Sequence, residues 1–432
     1  MRFKMANISL KLLLLFFLLA PFHGVIKVIN HNTLNKPILN VWKEVLFIFI
    51  LALSILYLIK KKKIHITNFG GKIIIIIYLL VFNLILNLYF GIVNKNIVII
   101  QWLWGVKVTF FYGLIIFIVI IHDINWQKFI NKIINILSFL ALFIIGFALL
   151  QFFLGTEFIS SINFVADGMK TNLIRSGNIR ASSIFRQPVT FGMFCLILLS
   201  FNILKKGFMP NIVSIMSIIG ILISTSRTSI LALVVMLFYC LLLKRKKYNI
   251  FLKLSLIIPL VIVFALNIIV PYIENNLLSS NIGVLRTYLY TNTFFVRINK
   301  WKTLMTSWVK SKGIVHIFIG KGWGYLGGGQ HIFKFIQGNP SVPYDPVDNL
   351  YLFLLINSGI VGLILFISII IMCMRKALMM MQFSSEVNYD FLNSVLLFLS
   401  TFLIIGVFIT GIESFIFQIY LYLIIGSLMK YS

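Results

Sequence analysis

Apolar runs follow one another along this chain with few interruptions. They fall at roughly 8–29, 41–59, 73–93, 97–121, 129–154, 186–204, 210–224, 228–243, 251–271, 349–374, 391–410 and 412–429. Most approach the ~20 residues that a helix needs to cross about 30 Å of hydrocarbon. Within each run the apolar positions are continuous and do not alternate, which excludes the strands of a β-barrel. The pattern predicts an all-α, polytopic integral membrane protein with about twelve transmembrane helices, one membrane domain over 1–432. Two stretches are longer than connectors need to be: 155–185, and the much larger 271–348.

Composition agrees with this pattern. Hydrophobic residues make up 60% and charged residues 11%, against about 25% charged in soluble domains. The net charge of +28 comes from 38 Lys+Arg and 10 Asp+Glu. Much of that excess sits in short clusters: Lys60 to Lys63, Lys205 with Lys206, Lys244 to Lys247, and Arg375 with Lys376. Each cluster follows an even-numbered run, so all fall on one side. Basic residues collect in cytoplasmic loops, which makes that side cytoplasmic and places both termini inside. The charge therefore reads as membrane orientation and not as a nucleic-acid footprint. Arg2, Lys4 and Lys11 precede the first run without a small-residue cleavage pattern, as expected of a first membrane helix. Cys195, Cys240 and Cys373 lie in separate runs and read as small buried hydrophobes. No His, Cys and carboxylate cluster has metal-ligand spacing, so neither a structural zinc nor a cofactor is expected.

One arginine breaks the pattern. STSRTSI, from Ser224 to Ile230, interrupts the apolar stretch between Pro210 and Leu243. An arginine at the centre of a membrane span costs roughly 2.5–3.5 kcal/mol. Basic clusters bracket the stretch on the same side, so the chain crosses twice and Arg227 lies at the outer turn. The neighbouring hydroxyls can satisfy backbone groups freed there. Such an arginine is suited equally to holding an anion and to snorkelling from a helix end.

The outer segments carry further charge. In 271–348, Arg286, Arg297, Lys300, Lys302, Lys310, Lys312, Lys321 and Lys334 outnumber Glu274, Asp345 and Asp348. Long loops escape the orientation rule, so an anionic substrate or a lipid surface is the reason to look for. RINKWKTLMTSWVKSKG, opening with Arg297, places Trp301, Leu304, Met305, Trp308 and Lys312 on one helical face, the pattern of an interfacial helix. GKGWGYLGGG matches GxGxxG by letter only. It lacks the strand–turn–helix context of a dinucleotide fold, and a sharp connection is its better reading. Asp348 stands before a run in YDPVDNLYLFLL, where it can cap the helix or serve as a general base. RASSIFRQPVTFG brings Arg180 and Arg186 around two serines, and Pro188 suits a first helical turn. Guanidinium groups pair well with phosphate oxygens, so the outer arginines together are the strongest chemical clue. Lys107 and Glu413 are ionisable groups inside runs, expected to pair with each other or to face a cavity.

RASSIFRQPVTFG, STSRTSI, RINKW, GKGWG and DNLYLFLLINSGIVGL, in this order over about 170–375, resemble the O-antigen polymerase and ligase superfamily. The resemblance implies a GT-C-like, metal-independent membrane glycosyltransferase of the bacterial cytoplasmic membrane, acting on its outer face on undecaprenyl-diphosphate-linked oligosaccharide. It implies Arg186, Arg227 and Arg297 near the lipid diphosphate. Asp348 stands where ligases commonly have histidine, which favours a repeat-unit polymerase for capsule, exopolysaccharide or O-antigen and leaves His331, Asp345 and Glu413 as alternative bases. Arg180, Arg286 and Lys107 would complete the substrate-binding set. A ligase and a lipid-linked oligosaccharide flippase are the rival readings. Besides membrane lipid, the partner classes are a chain-length regulator and a repeat-unit flippase.

Overall fold

The computed structural model describes residues 2–33, 41–61, 64, 66–162, 164, 174–175, 178–185, 187–259, 261–262, 293–310, 314–328, 347–382 and 386–431. In chain order the helices are α1 (Arg2–Leu19), α2 (His23–Thr33), α3 (Trp42–Lys61), α4 (Asn68–Val93), α5 (Ile99–Phe110), α6 (Leu114–Ile121) and α7 (Trp126–Ser161). A small antiparallel ladder joins β1 (Ile174–Arg175) to β2 (Asn178–Ile179). There follow α8 (Pro188–Asn202), α9 (Phe208–Ile223), α10 (Arg227–Lys244) and α11 (Tyr248–Pro259). The chain continues through α12 (Thr293–Val309), α13 (Ile314–Ile319), α14 (Leu350–Met381), α15 (Glu386–Gly406) and α16 (Phe415–Lys430).

Among the described residues, eight helices are long and apolar enough to cross a membrane by length and composition. Four shorter apolar helices, α8, α9, α11 and α16, are also described, and the predicted runs fall on these twelve, except that residues 263–271 of the run 251–271 lie outside the described residues. Their starts follow local chemistry. Thr67, Asn125, Ser226 and Asn349 accept a hydrogen bond from a main-chain N–H in the first turns of α4, α7, α10 and α14. Pro188 opens α8, where a missing N–H costs nothing.

Burial sorts the helices into centre and rim. The apolar window of α15 is 89% buried and that of α3 only 17%. Short α8 and α16 are buried on nearly every side, while α3, α4 and α7 leave Phe49, Phe82 and Phe143 exposed. Apolar faces of this size are stable in hydrocarbon, not in water. The three cysteines are free and buried, as small core residues.

Side-chain pairs define the two ends of the bundle. At one end Lys61 and Lys430 converge on Asp123, Lys430 at 2.6 Å. Nearby, Thr67 Oγ1 donates to the Met429 carbonyl at 2.7 Å, and Lys376 lies 5.7 Å from the Phe69 ring centre. Tyr248, just beyond α10, bonds Tyr389 near the start of α15. The contacting helices α10 and α15 are therefore antiparallel, and Arg227 lies at the opposite end, with Gly406. Leu350, at the start of α14, packs on Gly406 and so belongs to that end too. The basic clusters and the Arg227 turn thus occupy opposite ends, as the charge pattern predicts.

Candidate functional site

The Arg227 turn is built from hydroxyls. Ser224 Oγ donates to the Ile221 carbonyl at 2.7 Å, and Ser226 caps α10. Thr225 holds a left-handed φ of 44°, a strained state for a β-branched residue. Arg227 is the first residue of α10 and is exposed. RASSIF docks directly against this turn. Arg180 Nε donates to Thr225 Oγ1 at 3.1 Å, and the Ala181 N–H donates to the Ile223 carbonyl at 3.0 Å. Sequence reasoning missed what supports this docking. Gln151 of α7 accepts from the N–H groups of Ser182 and Ser183 at 3.2 and 2.7 Å and donates to the Ser183 carbonyl at 3.0 Å. One amide thus satisfies a buried piece of irregular backbone, which hydrocarbon would otherwise reject. A glutamine inside the fifth run was the only signal.

Arg297 and Asp348 meet as an ion pair, Nε to Oδ2 at 2.7 Å, with side chains 35% and 22% exposed. Two expectations change. Asn349, not Asp348, caps α14, accepting from the Leu352 N–H at 3.0 Å. Arg297 lies in the second turn of α12, not at its N-terminal end. The tryptophan face of α12 is also turned inward: Trp301 and Trp308 are 4% and 8% exposed and pack on protein instead of lying open at the headgroup level.

The glycine-rich stretch plugs a broken helix. α14 departs from helical geometry at Gly359 (φ 70°, ψ −174°). The freed carbonyls of Ile356 and Asn357 accept from the N–H groups of Lys321 and Gly322 at 2.8 and 3.2 Å. Asn87 of α4 accepts from the Trp323 N–H at 2.6 Å, and Asn357 Oδ1 accepts from Leu326 N–H at 3.0 Å. Gln101 of α5 donates to the Gly324 carbonyl at 2.6 Å. Gly324 (φ 89°) lies so close to Gln101 that an added Cβ would stand 2.3 Å from its carbonyl oxygen. The N–H groups of residues 321, 322, 323 and 326 are thus used within the protein. The stretch is a structural connection, the better of its two readings.

At the same end lies a cavity of about 420 Å³. Its polar lining includes His23, Lys27, Lys43, Gln187, Thr190 and Ser414. Trp42 Nε1 donates to His23 Nδ1 at 3.2 Å, and the Lys43 ammonium lies 4.5 Å from the Phe415 ring centre. Next to Lys43, Glu44 pairs with Lys107 at 3.2 Å. Lys107 thus has a partner that the sequence did not suggest, because α3 and α5 meet where the sequence shows no link. Only the backbone of Glu413 is described, in the 3₁₀ turn Gly411–Glu413 beside the cavity. Arg186, Arg286, His331 and Asp345 lie outside the described residues. The structure thus brings Arg180 to the Arg227 turn and Arg297 to Asp348, all at one end.

This fold and its ionic groups, gathered at the two ends of an apolar helix bundle, define a polytopic helical membrane protein. Residues 212–367 match the family model described as O-antigen ligase, and the match supports the O-antigen polymerase and ligase superfamily. The matched segment begins inside α9, ends inside α14 and contains Arg227, Arg297, Asp348 and the glycine-rich plug. The match covers about a third of the chain. No curated protein matches the sequence significantly.

Proposed function

We propose that the protein is a membrane polymerase that joins undecaprenyl-diphosphate-linked oligosaccharide repeat units on the outer face of the cytoplasmic membrane. The observation that carries this reading is the segregation of charge. The family-matched Arg227 turn, with Arg180 docked on it, lies at the end opposite the basic clusters. Under the positive-inside rule that end is extracytoplasmic.

In this mechanism an acceptor hydroxyl attacks C1 of the donor sugar. The bond from C1 to the diphosphate oxygen breaks, the new glycosidic bond forms, and the anomeric centre inverts. The diphosphate leaves with the bonding electrons. Arginines held in a site of low dielectric stabilise that charge and can lower the barrier by several kcal/mol without a metal. Arg297 and Asp348 neutralise each other before substrate binds. Donor phosphate competes for the guanidinium and releases the carboxylate, which then takes the acceptor proton.

Purified protein given a lipid-linked repeat unit should produce a ladder of products. The Arg227→Ala variant, at equal protein level, should produce none. A single-step transfer to an unrelated acceptor would make the protein a ligase, and a wild-type ladder from the variant would remove Arg227 from the site.

A further inference from the structure

Arg180 reaches the Arg227 turn from outside the family-matched segment, and a side chain of α7 holds the chain that carries it. Gln151 is fully buried and lies four residues before Gly155, where α7 breaks (φ 78°, ψ −165°). Ile179 of β2 packs at the break: a Cβ added to Gly155 would stand 3.4 Å from Ile179 Cδ1. A few residues on, Ser183 is tied to α7 three times. Its N–H donates to Gln151 Oε1, its carbonyl accepts from Gln151 Nε2, and its Oγ donates to the Ile144 carbonyl at 2.6 Å. These bonds hold it at a left-handed φ of 49°, which residues other than glycine seldom adopt. Thr225, which receives Arg180, is left-handed as well. The docked segment and the turn under it thus carry one strained residue each. Satisfying buried main chain does not require such strain. It persists where surrounding bonds over-determine it, and it gathers at ligand clamps.

The link from amide to guanidinium is short. Three residues separate Ser183 from Arg180, at most roughly 11 Å of chain. The turn cannot yield towards α8, because a Cβ added to Gly192 would stand 2.5 Å from Ser229 Oγ and 3.1 Å from Ser224 Oγ. A displacement of Ser183 is therefore taken up by Arg180. Fixing Nε on Thr225 also fixes the direction of the planar guanidinium fork, two residues along the turn from Arg227.

We propose that Gln151 is a positioning residue: through Ser183 it sets Arg180 on the Thr225 turn, so that the Arg180 and Arg227 guanidinium groups act on one anionic ligand, the diphosphate of the donor. The identity of that ligand rests on the polymerase reading, and the placement of Arg180 does not.

The test measures the affinity of the full-length protein in detergent for geranylgeranyl diphosphate, by equilibrium dialysis at pH 5.5 and pH 9. Gln151→Met has a side chain of similar length and loses every bond to Ser182 and Ser183. It should bind at least ~10-fold more weakly than wild type at both pH values. Gln151→Glu is the discriminating variant, because its acid form can donate to the Ser183 carbonyl and its ionised form repels it. Compared with wild type at the same pH, its affinity should stay within ~3-fold at pH 5.5 and fall at least ~10-fold at pH 9. Placement is read without ligand from the rate at which phenylglyoxal modifies Arg180, followed by peptide mass spectrometry at pH 8. Gln151→Met should raise that rate at least ~3-fold as the guanidinium leaves Thr225. A wild-type rate or wild-type affinity in folded Gln151→Met overturns the proposal, as does a Gln151→Glu affinity equally weak at both pH values. Failure of both variants to fold at pH 5.5 makes Gln151 a folding element only and overturns it too. If wild type does not bind the diphosphate while the Arg180 rate still follows Gln151, the positioning stands and the polymerase reading loses its donor site.

Discussion

Asn87 is fully buried in α4, and replacing it with leucine isolates the value of the plug. Its Oδ1 accepts from the Trp323 N–H at 2.6 Å, and its Nδ2 donates to the Ile319 carbonyl at 2.7 Å and to the Asn357 carbonyl. Leucine has the same number of side-chain heavy atoms and the same branch point, and makes none of these bonds. The Trp323 N–H is then left with no acceptor beside a ring that is 1% exposed, at a cost of about 1–3 kcal/mol. The Asn357 carbonyl keeps the Gly322 N–H, so its loss is smaller. Bonds between membrane helices average about 0.6 kcal/mol each, and the two lost donors add roughly 1 kcal/mol. The sum is about 2–4 kcal/mol. The assay is thermal unfolding in detergent followed by tryptophan emission, with limited proteolysis of residues 320–328 as a local readout. Asn87→Leu should melt several degrees lower and be cut faster in the plug, and glycosyl transfer should fall with the folded fraction. An unchanged melting curve with unchanged proteolysis would refute the claim that these bonds seal the break in α14.

Three other outcomes follow from particular contacts. Gly324→Val forces a branched side chain into a φ of 89° against Gln101, a strain of about 2 kcal/mol or more, and should lower the yield of folded protein on size exclusion. His122 is buried beside Ser54, and burial first, then Lys61, lowers its pKa from 6.5 to about 4. The folded protein keeps it neutral while the unfolded chain protonates below pH 6.5. Its stabilisation is therefore complete above that pH and declines towards pH 4, by up to about 3 kcal/mol, and His122→Gln should flatten the fall in detergent melting temperature. Asp348→Asn breaks a partly exposed pair worth under ~1 kcal/mol, so the fold should survive. Turnover should fall at least ~100-fold if the carboxylate takes the acceptor proton, and near-normal product would exclude that role.

The order of helices was legible because each apolar run had to be buried or to face lipid, and the basic clusters marked the end they share. The docking of Arg180 was half visible in the hydroxyls around Arg227. Gln101, Gln151, Asn87 and Asn357 were not, because a lone amide in an apolar run has no period and its partners are main-chain atoms far along the sequence. The Glu44–Lys107 pair was hidden for the same reason: nothing local links the second run to the fourth. The capping assignment missed by one residue, within the ordinary uncertainty of helix ends. The amphipathic face of α12 was read correctly from its spacing, but spacing cannot say whether lipid or protein covers it. The cavity needed segments from three distant parts of the chain and had no linear signature.

Fastening residues 320–326 between α4, α5 and α14 fixes a point of the chain between Arg297 and Asp348. That fixed point shortens the chain that must close to bring the two together, and closure cost falls slowly with length, by about 0.6 kcal/mol per halving.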